Sequence, residues 1–556
     1  MAAETVPVHR ALAEAFVAEG TDVVFALMGD GNKHWLVDLA ACSGVRLVHV
    51  RHEGAALAMA DGFARARGGD AVGVCAVTYG PGVSQLSTSL LVAAKHRTPL
   101  VVFAADLPDG MRDSGAQLDV DERALLEAAG AAVREVRAPT AARGDVHLAF
   151  HQARTERRPV ALLVGVDVQE RLVPVDRPGR ADGPRSPLPV PHYALAPDPR
   201  AVTDAASVLL GCRRPLVLAG RGVTGPGGRV AVARLAERLG APVATTFLAK
   251  GFLDDHPSAV GIAGGFALER TRRVLQQADA VVALGASLNE HTTDHGRLFA
   301  QATVVQVDTA VHALVRGRAS AACYVRGDAI LAAHSIVDEL DRCDGPCSPF
   351  GHDAASDAAD RRTAELVADP VVVAPGTVDP RMLMLALDDV LPDDAHVVVG
   401  GGHFMAFPAR FLSGGRERTF EMAFDFMTTG QAVPHAIGAA VAQPGRLVVA
   451  VEGDASVLMH IQELETATRA GVALVVLVLN DGALGAEYHR LRSDGLDAAE
   501  AIVPGPDLAH LAEAFGGRGR RVGHVDELGD LLSWYDPARG PHLVDCQVSR
   551  AVVGPI

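Results

Sequence analysis

Residues 447–456 read Leu-Val-Val-Ala-Val-Glu-Gly-Asp-Ala-Ser, and residues 474–483 read Leu-Val-Val-Leu-Val-Leu-Asn-Asp-Gly-Ala. Each is a short apolar run rich in β-branched residues that ends in an acidic residue beside glycine. Runs this short, without polar alternation, suit strands buried on both faces of a parallel sheet. The stretch between them, through Gln462-Glu463-Leu464, has the character of a helix. Asp454 and Asp481 therefore fall just past the ends of two strands that can be neighbours. Ligands of such sheets gather at the carboxyl ends of the strands.

The same alternation extends in both directions. Strands are expected at Asp22–Leu27, Val45–Val50, Ala71–Val77 and Pro99–Ala104, with helices over Val8–Ala18 and Gly54–Arg65. Further strands are expected at Pro215–Ala219, Pro242–Thr245, Ala280–Leu284, Val304–Val307 and Val397–Val399. Two segments read as linkers: Val173–Arg200, dense in proline, and 345–380, rich in Ala, Asp and Pro. They divide the chain into 1–180, 190–345 and 370–556. The fold class is α/β, with three doubly wound parallel-sheet domains.

Bulk composition narrows the function. At 556 residues, 49% hydrophobic and 21% charged, the chain is globular and too long for one core. A net charge of −16 argues against nucleic acid as partner, since such binders cluster Lys and Arg on phosphates. The longest apolar stretch, Val472–Leu479, is too short to span a bilayer, and no signal peptide is visible, so no membrane contact and a cytoplasmic location are expected. Cys343 and Cys347 form a lone C-x₃-C with no second pair to complete a zinc site.

The two acidic turns suit a divalent cation with a phosphate. Mg²⁺ takes six oxygens, keeps phosphates among them and is anchored by one or two carboxylates. Gly453 and the small Ala455 let backbone approach a diphosphate at a helix N-terminus, and Ser456 adds a hydroxyl. Taken singly, Asp454 is equally a helix cap and Asn480-Asp481-Gly482 a tight turn. Some 400 residues earlier, Arg51-His52-Glu53-Gly54-Ala55-Ala56 leads from a strand into a helix whose first turn is small and apolar. A buried acid at a strand end is a functional candidate.

Together these segments resemble the thiamine-diphosphate enzymes, and within them the acetolactate synthase and decarboxylase branch. The pair Gly453-Asp454-Ala455 and Asn480-Asp481 resembles the Gly-Asp-Gly…Asn signature, with Ala455 for the usual Gly and Asp481 for the usual Asn. The resemblance implies that Asp454, Asp481 and the Ala483 carbonyl hold Mg²⁺, with Asn480 orienting the turn or touching the cofactor. Arg51-His52-Glu53 resembles the R-H-E motif whose glutamate bonds the pyrimidine ring and promotes the thiazolium ylide. Thr78-Tyr79-Gly80-Pro81-Gly82 is similar to the loop over the cofactor's reactive face, and Gln117 stands where relatives carry an active-site Gln. Gly402 and His403 resemble a diphosphate-contacting turn. Thr429 aligns with the residue that wedges the cofactor into its bent shape, a role Met427 could take instead. The implied domains are pyrimidine-binding, central and diphosphate-binding.

The resemblance says less about the reaction. The middle domain is similar to one that holds FAD in acetolactate synthases, but Ser287-Leu288-Asn289-Glu290-His291 replaces their flavin-contacting segment, which argues against FAD. Glu487 follows Asp481 at the spacing of a proton-donating Glu in decarboxylases, or else points to solvent. The implied activity is a carboligase of acetolactate-synthase type, which decarboxylates a 2-oxo acid and passes the acyl unit to a carbonyl acceptor. The alternatives are a non-oxidative 2-oxo-acid decarboxylase and a non-catalytic cofactor-binding homologue. The expected assembly is a homodimer or homotetramer with active sites between chains.

Overall fold

Short apolar runs, most of them followed by a helix, build three six-stranded sheets in which every neighbouring pair is parallel. The computed structural model describes residues 4–69, 71–112, 114–175, 194–310, 321–343, 348–352, 354, 361–415 and 417–555. The first sheet runs, in spatial order, Arg46–His49, Val23–Ala26, Gly73–Val77, Leu100–Asp106, Pro159–Gly165, Ala132–Glu135. The third runs Thr419–Met422, His396–Val399, Val448–Gly453, Val475–Asn480, His542–Gln547, Arg518–Val522. Counted along the chain, both have the strand order 2-1-3-4-6-5. The middle sheet runs Ala259–Ile262, Val243–Thr245, Pro215–Ala219, Ala280–Leu284, Thr303–Asp308, Cys323–Arg326, the order 3-2-1-4-5-6. The expected α/β class with three doubly wound sheets is therefore correct.

Several strands were not singled out from sequence, among them Ala132–Glu135, Pro159–Gly165, Thr419–Met422, Arg518–Val522 and His542–Gln547. Two expectations for the linkers need correction. Leu172–Pro174 is a short strand paired antiparallel with Thr5–Pro7, and an edge position tolerates its proline. Within the second expected linker, Arg361–Ala368 is helical. Residues 176–193 and Cys347 lie outside the described residues. Pro199 and Pro380 open helices at their first position, each capped by the preceding aspartate, where a missing N–H costs nothing. Among the described residues no helix is long and apolar enough to cross a membrane.

One feature ties the first sheet to the third. Helix Glu53–Arg67 crosses helix Ala432–Ala442 at Gly62 and Gly438. A Cβ at Gly438 would lie 2.0 Å from the Met59 carbonyl oxygen, and one at Gly62 2.2 Å from that of His435. Only glycines permit this backbone contact. The same hydrophobic cluster holds Leu57, Met59 and Phe63 with Ala432, Ile437 and Val448, so the two sheets share a core. At its edge buried Arg65 pairs with Asp61 at 2.6 Å and Asp425 at 3.3 Å.

Candidate active site

In the third sheet the strand order reverses between His396–Val399 and Val448–Gly453, the place where open α/β sheets bind ligands. Strand Val448–Gly453 extends two residues beyond the apolar run, pairing Glu452 and Gly453 with Val478 and Leu479. Asp454 therefore emerges at the carboxyl end of a central strand and opens the helical turn Asp454–Val457. It is 4% exposed, and burial pushes its carboxyl up to about 7, with the charge of Asp481 adding to the rise. Asp481 follows strand Val475–Asn480, and burial raises its carboxyl too. Its Oδ1 accepts the Ala483 N–H at 3.0 Å, and its backbone carbonyl accepts from Arg550 Nε at 2.6 Å.

Two carboxylates, Asp454 buried and Asp481 partly so, with the charge of Asp481 raising the proton affinity of Asp454, form a donor set suited to a divalent cation. Among the described residues no three His, Cys, Asp or Glu side chains converge there, so the remaining donors would be backbone, phosphate or water oxygens. Gly402, at φ +150°, and Gly453 line the same cavity, and a Cβ on either would collide with the Phe404 ring at 2.6 and 2.7 Å. Bare backbone is thus presented to whatever lies there, as a diphosphate requires.

The cavity, about 2440 Å³, is lined by Gly402, His403, Met427, Thr429, Gly453, Asp454, Ala455, Ser456, Asp481, Ala483 and Glu487. It also runs past Arg221 and Gly285 of the middle sheet. His403 Nε2 accepts the Gly554 N–H at 2.9 Å, and burial, with His489 beside it, holds the ring down to about 4. It is neutral near pH 7 and carries its proton on Nδ1. Phe426 and Met427 both have positive φ, +69° and +58°, a strained pair for non-glycine residues at the cavity wall. Thr429 donates to Met459 Sδ at 3.3 Å.

Two expected contacts look different in place. The Ser456 hydroxyl gives its hydrogen to Glu452 Oε2 at 2.5 Å and accepts the Gly453 N–H at 3.1 Å, so its bonds are spent inside the turn. Asn480 donates to Asp545 Oδ1 and accepts the Gly482 N–H, which shapes the turn and leaves its side chain outside the large cavity. Glu452 was missed from sequence. It is fully buried, accepts the Ala432 N–H at 2.8 Å, and burial pushes it up to about 7. The signal was an acid inside an apolar strand.

The remaining residues gather elsewhere. Glu53 is the first residue of its helix, capped by His52, and its carboxylate lies against Gly82, 3.8 Å from where a Cβ would stand. Gly80, at φ +66°, packs on Leu118, so the Gln117 loop rests on the Gly80-Pro81-Gly82 turn. Tyr79 donates to Asp30 Oδ2 at 3.1 Å, and Lys33 also bonds Asp30, an exposed group missed from sequence although Gly29-Asp30-Gly31-Asn32 follows a strand. Glu53, Gly80, Pro81, Gly82 and Gln117 are not among the residues lining the large cavity. The expected site residues of one chain thus fall into two separate groups, one around Asp454 and one around Glu53.

Comparison with known proteins gives three matches in order. Residues 7–125 match the thiamine pyrophosphate enzyme N-terminal TPP binding domain, 202–336 the central domain, and 400–546 the C-terminal TPP binding domain. The chain is 27% identical to the probable acetolactate synthase large subunit of Methanocaldococcus jannaschii, covering 98% of this chain and 93% of that protein. It is 29% identical to the acetolactate synthase large subunit of Parasynechococcus marenigrum, covering 99% and 88%. It is 28% identical to the acetolactate synthase of Mycobacterium bovis, covering 92% and 83%.

Proposed function

The chain belongs to the thiamine pyrophosphate enzymes, and from that premise we propose that it is an Mg²⁺-dependent carboligase of acetolactate-synthase type. It would decarboxylate a 2-oxo acid and pass the acyl unit to a carbonyl acceptor. The observation that carries the site reading is the pairing of Asp454 with Asp481 beside the bare backbone of Gly402 and Gly453.

Asp454 and Asp481, with the Ala483 carbonyl, hold the metal, and the backbone at Gly402, Gly453 and Ala455 faces the diphosphate. Neutral His403 donates to it from Nδ1, because its Nε2 is occupied by Gly554. Thr429 and Met427, which line the cavity, would pack against the bound cofactor. Glu53 holds a proton at a pyrimidine ring nitrogen, and Gly82 leaves room for the ring beside that carboxyl. The bound cofactor supplies an acidic thiazolium carbon and the means to stabilise a carbanion. Gln117 and the Gly80 turn face the substrate end. Domain limits near 1–180, 190–345 and 370–556 fit the three sheets, and we assign no FAD.

The separation of Glu53 from the Asp454 cavity supports a homodimer or homotetramer in which each site takes one half from each of two chains. A second reading, a non-oxidative decarboxylase, is favoured by Glu487, which lines the cavity. Incubation with thiamine diphosphate, Mg²⁺ and pyruvate separates the two. A product that gives acetoin after acid treatment supports the carboligase. Acetaldehyde as the sole product refutes it, as does failure to release carbon dioxide from any of a panel of 2-oxo acids.

A further inference from the structure

Glu122 opens helix Glu122–Ala128, directly after the Gln117 loop, and its side chain turns inward to 3% exposure. Oε1 accepts the Gly80 N–H at 2.5 Å. Oε2 is buried and has no hydrogen-bond partner among the described residues. A carboxylate left in that state loses its hydration without compensation, whereas a carboxylic acid loses far less. Gly80 is itself held at φ +66°, ψ −112°, a conformation that favours glycine, with the Leu118 carbonyl 3.1 Å from where its Cβ would be.

The charged groups around it offer no ion pair. Asp106, at the end of strand Leu100–Asp106, takes Arg112 at 2.5 Å, and Arg112 also reaches Glu135 at 3.6 Å. The Tyr79 hydroxyl is turned to Asp30. Glu122 is thus left with one backbone donor and no partner for Oε2 among the described residues, between the turn that carries Gly82 beside Glu53 and the loop that carries Gln117.

We propose that Glu122 is a positioning residue, a neutral carboxylic acid that clips the Gly80 turn to the Gln117 loop and so sets the spacing of Glu53 and Gln117 at the substrate end. This rests on reading those two loops as walls of the site. Burial pushes the carboxyl up to about 8, with Asp106 adding to the rise while the Gly80 N–H and Arg112 oppose it. Ionisation above that pH places an unpaired charge under the turn and loosens the clip.

The test compares E122Q and E122A as holoenzymes by amide exchange at Gly80 and by the pH profile of kcat/KM for the 2-oxo acid. E122A should speed exchange at Gly80 and lower kcat by about tenfold or more, with cofactor affinity changed less than about twofold. E122Q should recover most of that loss and abolish the alkaline fall in kcat/KM near pH 8. A protected Gly80 amide in E122A overturns the proposal, as does E122Q damaged as severely as E122A. Should E122A fail to fold, the profile of E122Q decides, and a retained alkaline fall overturns it. The exchange readout needs no substrate. It therefore separates failure of the clip from failure of the site reading, which full activity in E53Q would expose.

Discussion

Replacing Gly438 with alanine should destabilise the protein, although helix propensity alone predicts the reverse. Gly438 lies inside helix Ala432–Ala442, where alanine is intrinsically favoured over glycine by about 0.5–1 kcal/mol. A Cβ there would lie 2.0 Å from the Met59 carbonyl oxygen, 2.8 Å from its carbon and 2.9 Å from the Phe63 nitrogen. All three are backbone atoms of the facing helix and cannot rotate away. Ordinary contact begins near 3.4 Å, so the helices must part by more than about 1 Å, and overpacking of this kind costs about 1–3 kcal/mol. After the propensity gain is set against it, the net loss is about 0–2.5 kcal/mol, with the upper half expected because the clash is with backbone. The matched control is Gly144→Ala, in helix Ala142–Glu156, where an added Cβ meets nothing within 4 Å. That change should raise stability by about 0.5–1 kcal/mol. Thermal unfolding of the three proteins under one scan rate gives the comparison, with G438A shifting down by several degrees and G144A shifting slightly up. If G438A melts at or above G144A, the crossing is not as tight as the backbone distances state.

Three other outcomes are expected. Mixing E53Q with D454A, each inactive alone, should restore about a quarter of wild-type activity after subunit exchange, since half the dimers are mixed and one of their two sites is intact; no recovery would put both residues in one chain's site. Chelation of Mg²⁺ should remove activity and lower the melting temperature in the presence of thiamine diphosphate, both returning with metal, while D454A should show no melting response to Mg²⁺ at all. Buried Glu463 accepts the Arg51 N–H and the Thr466 hydroxyl, and burial pushes it from 4.5 up to about 6. The folded chain holds that proton at a pH where the unfolded chain releases it, so stability falls as pH rises from about 4.5 to about 6, by up to about 2 kcal/mol. E463Q should flatten that stretch of the denaturation profile; an unchanged slope would assign it to other groups.

What the sequence made legible is what depends on neighbours along the chain. The runs ending in Gly453-Asp454 and Asn480-Asp481 announce strand ends, and the small residues after Glu53 announce a buried helix start. Edge strands such as Arg518–Val522 were not readable, because a strand with one covered face and several arginines lacks the apolar run. Nor were contacts between segments set apart in the chain. That Gly82 meets Glu53, that Gly62 meets His435, or that Gly554 reaches His403 depends on the tertiary arrangement. Ser456 shows the limit most clearly. Its type and position suit a phosphate, yet Glu452, four residues earlier on the strand, takes its hydrogen first.

The three parallel sheets also bear on how the chain reaches this state. Every neighbouring pair in them is parallel, so no tight hairpin within these sheets can form early and template the rest. Pro215 must find Ala280, and Val475 must find His542, before either sheet has its middle. Pairings this remote close their loops against chain entropy before contacts repay it, which makes folding slow and leaves bare strand edges exposed meanwhile. Yield of native protein should therefore respond more to slow synthesis and chaperone supply than to any single stabilising substitution.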